Sequence, residues 1–166
     1  PTGVNATGTF DYRAADDDGA LSGEETATIT ITGTNDNPAL TAGSIDNNED
    51  ELEAGISVNA ATSDLLDNAT DIDDADSTLV VGEVEGASGN VGSAVTITLS
   101  YTDADSNGQT QDVDLTVNAN GSYTIAAVDL DALPNGSTAT GTFDYLVEDD
   151  EGAQSTTETA TITITG

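Results

Sequence analysis

The residues of this chain that could do chemistry are almost all carboxylates. The sharpest group is Asp103-Ala-Asp105-Ser-Asn107-Gly108 with Asp114 beyond it, which sets oxygen-bearing side chains at loop positions one, three, five and twelve and a glycine at six. Short side chains at alternate positions of a turn converge on one side, and a hard cation such as calcium collects such oxygens at about 2.3 to 2.6 Å. Position twelve is Asp where a bidentate Glu is usual, and the flanking segments alternate like strands, so the spacing is not that of a helix-flanked calcium loop. The same pattern also describes an Asx-rich hairpin turn that holds no metal.

A second group is Asp71-Ile-Asp73-Asp74-Ala-Asp76, with Asp64 and Asp67 shortly before it. Carboxylates this close disfavour one another's ionisation, and a divalent ion would remove the conflict; a solvated acidic loop is the alternative. A third set is dispersed: Asn35-Asp36-Asn37; Glu49 and Glu51 with Asp50 and Glu53; and the turn Asp16-Asp17-Asp18-Gly19, which recurs as Asp149-Asp150-Glu151-Gly152. An Asn- and Asp-rich linker flanked by acidic loops can wrap calcium and stiffen a joint, where a plain polar linker would flex. The expected metal ligands are therefore Asn35, Asp36, Asn37, Glu49, Glu51, Asp71, Asp73, Asp76, Asp103, Asp105, Asn107, Asp114, Asp16, Asp18, Asp149 and Glu151, holding several calcium ions.

Charge excludes much else. With 32 acids against one Arg, no Lys and no His, the formal charge is -31. Arg13 alone cannot neutralise phosphates, so nucleic acid is excluded as a partner, and an anionic membrane would repel the chain. Without His, Cys or Lys the usual general base, thiol nucleophile and Schiff-base amine are missing. A carboxylate glycosidase needs a pair of acids, but acids placed in turns suit that role poorly, so no enzyme is expected. No apolar run approaches membrane-spanning length and no leader is evident, which predicts a chain that does not insert into membranes and an export signal outside it.

The elements that must position these acids are read from an internal repeat. Pro1 to Gly33 aligns without gaps on Pro134 to Gly166, with 23 identities in 33 positions. The chain thus reads as one unit of a tandem array preceded by the end of another. The expected division is residues 1–33 as the last strands of a preceding repeat, 34–38 as a calcium-binding linker ending at Pro38, and 39–166 as a complete repeat. Period-two alternation marks strands at Thr26–Ile31 and Thr159–Ile164, and at Val95-Ile97-Leu99-Tyr101, Val113-Leu115-Val117, Tyr123-Ile125-Ala127 and Phe143-Tyr145-Val147, with shorter ones near Ile56–Val58 and Leu79–Val81. Asn107-Gly108, Asn120-Gly121, Asn135-Gly136 and Glu151-Gly152 mark the turns, where glycine supplies a positive φ. No helical periodicity competes. The expectation is an all-β fold: an Ig-like, cadherin-like antiparallel sandwich of about seven strands.

At this point the residues resemble a family. Gly33-Thr34-Asn35-Asp36-Asn37-Pro38, Leu115-Thr116-Val117-Asn118-Ala119-Asn120-Gly121-Ser122-Tyr123, Gly141-Thr142-Phe143-Asp144-Tyr145 and Thr159–Ile164 resemble VCBS-type and cadherin-like repeats of giant bacterial RTX adhesins. Thr70-Asp71-Ile72-Asp73 with Asp76 and Leu79 is similar to the acidic strand entry of those repeats. The resemblance implies a calcium-stabilised Ig-like extender, exported by type I secretion to the bacterial cell surface and serving adhesion and biofilm formation. It also implies that Asn35, Asp36 and Asn37 are calcium ligands of a joint. The 133-residue spacing is longer than the family's usual hundred or so. A spacer needs one fold many times, which near-identical repetition suits, so the expected partners are neighbouring repeats of the same chain, with weak self-association besides. The alternatives are a calcium-dependent module binding sugar or peptide, which so few aromatic residues disfavour, and acidic adaptation to high salt.

Overall fold

The computed structural model describes residues 2–59 and 64–166. The chain divides into two compact units, residues 1–36 and 37–166.

The first unit is a hairpin of β1 (Asn5–Tyr12) and β2 (Glu25–Thr32), paired antiparallel from Asn5↔Thr32 to Tyr12↔Glu25. Alternation puts Phe10, Tyr12, Ala27, Ile29 and Ile31 on one face and a row of Thr with Asp11 on the other. Hydrogen bonds from Thr26 to Asp11 (2.6 Å) and from Thr32 to Asn5 (2.7 Å) cross-link the polar face. Arg13 pairs with Glu24 at 3.1 Å.

The second unit is all-β apart from short helical turns. Its strands are β3 (Ala39–Leu40), β4 (Ser44–Asn48), β5 (Ile56–Val58), β6 (Ala69–Thr70), β7 (Val80–Val84), β8 (Ala94–Thr102), β9 (Gly108–Val117), β10 (Tyr123–Ile125), β11 (Thr138–Glu148) and β12 (Glu158–Thr165). One sheet runs β4-β12-β11-β8-β9-β10-β5, with β7 also pairing β11. Strands β3 and β6 pair separately. Among the described residues every ladder is antiparallel except β4 on β12, which is parallel from Ser44↔Thr161 to Asn48↔Thr165.

β11 organises this unit. One edge takes β12 along Thr138–Tyr145, and the other takes β8 at Thr140 and β7 along Tyr145–Glu148, with a register shift between Leu146 and Val147. Such an irregularity bends the strand and re-aims the residues beyond it. Gly141 makes the approach of β8 possible, since a Cβ there would lie 2.9 Å from both Leu99 Cδ2 and the Thr98 carbonyl oxygen. The inward faces of these strands form one core, in which Phe143, Tyr145, Leu99, Leu115, Ile162 and Ile164 are among the fully buried side chains. The Tyr145 hydroxyl donates to the Leu65 carbonyl and accepts from the Gly43 N–H, both at 3.2 Å, and so ties two loops to that core.

Three expectations are corrected. A helix exists, α1 (Glu49–Ala54), within the acidic stretch that was read without one. Asn48 and Glu51 form a reciprocal capping box, with Glu51 N–H to Asn48 Oδ1 at 2.9 Å and Asn48 N–H to Glu51 Oε2 at 3.2 Å, and Leu52 plugs the core. The second unit has ten strands among the described residues, more than the seven expected, because short β3, β4 and β6 carry too few apolar residues to signal themselves. Finally, Gly121, Gly136 and Gly152 supply positive φ at their turns, but between β8 and β9 that role falls to Ser106 (φ 66°), not Gly108.

Candidate metal centre

The pairing of β7 with β11 builds an acidic site. Val80, the first residue of β7, lies opposite Glu148. The loop entering β7, residues 71–79, therefore ends beside the turn leaving β11, residues 149–152. Two groups far apart in sequence meet here: carboxylate oxygens of Asp74, Asp149 and Glu151 all lie within 4.8 Å of one another. Oxygens bound to one calcium ion at about 2.3 to 2.6 Å are separated by no more than about 5 Å, so these three can share an ion.

Each loop uses carboxylate oxygens to fold itself, two in the first and one in the second. Asp71 Oδ1 accepts the N–H groups of Asp73 (2.7 Å) and Asp74 (3.1 Å), and Asp76 Oδ1 accepts that of Asp71 (3.2 Å). Across the site, Asp149 Oδ1 accepts the N–H groups of Glu151 (3.0 Å) and Ala153 (2.8 Å), and Asp149 is only 3% exposed. The second oxygens tell a different story. Asp71 Oδ2 and Asp74 Oδ2 are shielded from solvent with no hydrogen-bond partner. A buried acceptor left unpaired costs free energy, and a carboxylate oxygen more than most.

The electrostatics agree. The Glu151 carboxyl is pushed up to about 7, first by its hydrogen bond with Asp150, then by desolvation and its hydrogen bond with Asp74. Asp74 is raised as well, chiefly by desolvation, with Asp150 and Asp71 adding repulsion. Carboxyl groups this close disfavour one another's ionisation, and a cation would relieve that repulsion. The donor set is all oxygen and strongly anionic, which suits calcium and offers nothing to soft metals.

A second acidic group joins Glu49 and Glu53, one turn apart on α1, to Asp131. Desolvation and then Asp129, Asp131, Glu49 and Asp50 raise Glu53. Its members are exposed or half-exposed.

The other expected ligands are spread over the rest of the fold. Asp103 serves its own turn: Oδ1 accepts the N–H groups of Asp105 (3.0 Å) and Asn107 (2.9 Å), and Oδ2 accepts the Gln109 side chain (2.7 Å). Asp114 is opposite Thr96, six pairs along the ladder from Thr102↔Gly108, or roughly 20 Å from the turn. It accepts the Thr96 hydroxyl at 3.0 Å on the outer face. Asp103, Asp105, Asn107 and Asp114 thus do not form one loop site, because the chain after Asn107 runs straight into β9. Glu51 is committed to capping α1, while Asp73 lies within the Asp71–Asp74 loop and Asp76 accepts the N–H of Asp71 from just beyond it. Asn35 accepts the Thr2 hydroxyl (3.0 Å) in the first unit, and Asn37 donates to the Gln154 carbonyl (2.9 Å) in the second, with Asp36 between them. Asp16 repeats the geometry of Asp149, accepting the Ala20 N–H at 2.7 Å, and with Asp18 is exposed.

Sequence reasoning named Asp71, Asp149 and Glu151 but assigned them to separate sites and left Asp74, Glu53 and Asp131 out of the ligand set. The missing information was the β7–β11 register. No family model matches the chain, and no characterised protein matches it either. No helix among the described residues is long and apolar enough to cross a membrane.

Proposed function

We propose that this chain is a calcium-stabilised extender, a repeat of an Ig-like, cadherin-like sandwich of the VCBS type, belonging to a large bacterial surface adhesin. Its work is mechanical: it holds a distal ligand-binding region away from the cell, for adhesion and biofilm formation. The observation that carries the reading is the gathering of Asp74, Asp149 and Glu151 carboxylate oxygens within 4.8 Å of one another, beside buried, unpartnered oxygens on Asp74 and on Asp71 in the same loop. An ion there would clip the entry of β7 to the exit of β11, at the strand that organises the unit.

Asp71, Asp74, Asp149 and Glu151 would hold that ion, Glu49, Glu53 and Asp131 are a second candidate set, and Asn35, Asp36 and Asn37 would stiffen the joint. The near-exact repetition of the terminal hairpin and the charge of -31 support a tandem spacer that folds where calcium is plentiful. Extracellular modules bind calcium at about 0.1 to 1 mM, so millimolar calcium outside a cell fills such sites and cytosolic calcium does not. On this reading the protein folds after export and works outside the cell, with neighbouring repeats as its partners.

Isothermal titration tests the site. The chain should bind calcium with millimolar or better affinity, and Asp74→Asn should remove one binding event while leaving the others. Equal stoichiometry in the two proteins would refute the assignment.

A further inference from the structure

The hairpin of β1 and β2 exposes an apolar face. Phe10, Tyr12, Ile29 and Ile31 are 52%, 52%, 53% and 66% exposed, whereas their counterparts Phe143, Tyr145, Ile162 and Ile164 are at most 1% exposed. A two-stranded hairpin standing by itself is marginal in water, so the face requires cover.

The nature of that cover can be read within the same chain. Residues 6–12 and 25–33 are identical to 139–145 and 158–166. In the second unit that hairpin is flanked by β4 along β12, and by β8 and β7 along β11. The shape match goes down to a single notch. Gly141 leaves room that Leu99 and the Thr98 carbonyl fill, while Gly8, opposite Ile29 as Gly141 is opposite Ile162, has nothing within 4 Å of where its Cβ would be. The turns match too: Asp16 is folded by the Ala20 N–H as Asp149 is by that of Ala153.

We propose that the β1–β2 face is a docking surface for a second β-body of the same make as residues 37–132, presenting counterparts of β4, β7 and β8 and of the Asp71–Asp76 loop. Within residues 37–166 the place of such a hairpin is taken. β11 and β12 already fill it, and Arg13 and Ala14 stand where Leu146 and Val147 are buried, so the first hairpin is the poorer competitor for it. Two hairpins stacked face to face would cover the aromatic rings but leave the Gly8 notch and the Asp16 turn unused.

The test extends the full chain at its amino end with a second copy of residues 37–133, so that Leu133 precedes Pro1 as it precedes Pro134. Hydrogen exchange of β1 and β2 is then measured in calcium, with and without the extension. In the extended chain these amides should slow by at least about a hundredfold, to the level of β11 and β12, and Phe10→Asp with Ile29→Asp should return them to fast exchange. Unchanged exchange on extension would overturn the proposal, as would equal slowing of the unextended chain on raising its concentration, which would make another hairpin the occupant. A calcium titration of the extended chain should also gain an ion through Asp16 and Asp18. That count rests on the calcium reading and the exchange result does not, so the two fail separately.

Discussion

At the scale of the residue, one kind of side chain performs two jobs. Asp103 is a structural acid, with both oxygens spent on the turn between β8 and β9, and its carboxyl is held below its usual value first by the Asn107 N–H and then by Gln109. Asp71 and Asp74 each keep an oxygen unspent. Asp103→Ala should therefore lower the melting temperature by a similar amount in calcium and in chelator, while Asp74→Asn should lower it only in calcium. Thermal melts of both variants in both conditions check this.

The pH dependence arises from the same groups. Glu151 keeps its proton up to about 7 in the folded chain against 4.5 for the ordinary carboxyl. Between those values the folded state binds more protons than the unfolded one, so stability falls as pH rises from about 4.5 to about 7. Asp103 has the opposite sign: its contribution is present above 3.8 and is lost as pH falls through its lowered value. In chelator, melting temperature should decline across the Glu151 window; in calcium, which favours the ionised carboxylate, the decline should shrink and binding should release protons. A calcium-free profile rising with pH across that window would contradict this account of Glu151.

At the scale of the element, strand pairing turns dispersed acids into a site. Alternation made the long strands legible, because β8, β9, β11 and β12 each carry a row of inward apolar residues. It failed for β4, whose Ser-Ile-Asp-Asn-Asn carries one, and for α1, whose single buried residue leaves no periodicity to see. The Asn48–Glu51 capping signature was present in the sequence and would have located α1. The site was legible as two acidic loops; that they meet depends on the Val80↔Glu148 pairing, which no local pattern records. Glycine provides the test at this scale. Gly141→Ala should destabilise by about 1 to 3 kcal/mol, since the methyl group collides with Leu99 and backbone, whereas Gly8→Ala should stay within about 0.5 kcal/mol. Denaturant unfolding of the two variants measures the difference.

At the scale of the whole molecule, the problem is charge. Thirty-one uncompensated negatives oppose compaction, and the core that resists them is built mainly of Val, Ile, Leu and Ala with few aromatic rings. A cation bound where repulsion is densest relieves the compact state and leaves the unfolded chain unaffected. With calcium at about 100 times a site's dissociation constant, each independent site adds about 2.7 kcal/mol to the folded state. For a chain of this size each kcal/mol is worth about 2 to 4 °C. The most direct measurement is a thermal melt of the chain in calcium, in magnesium and in chelator at constant ionic strength. A calcium-specific rise of about 5 °C or more over both other conditions is the predicted result; equal melting temperatures in calcium and chelator, or an equal gain from magnesium, would contradict calcium-stabilised folding.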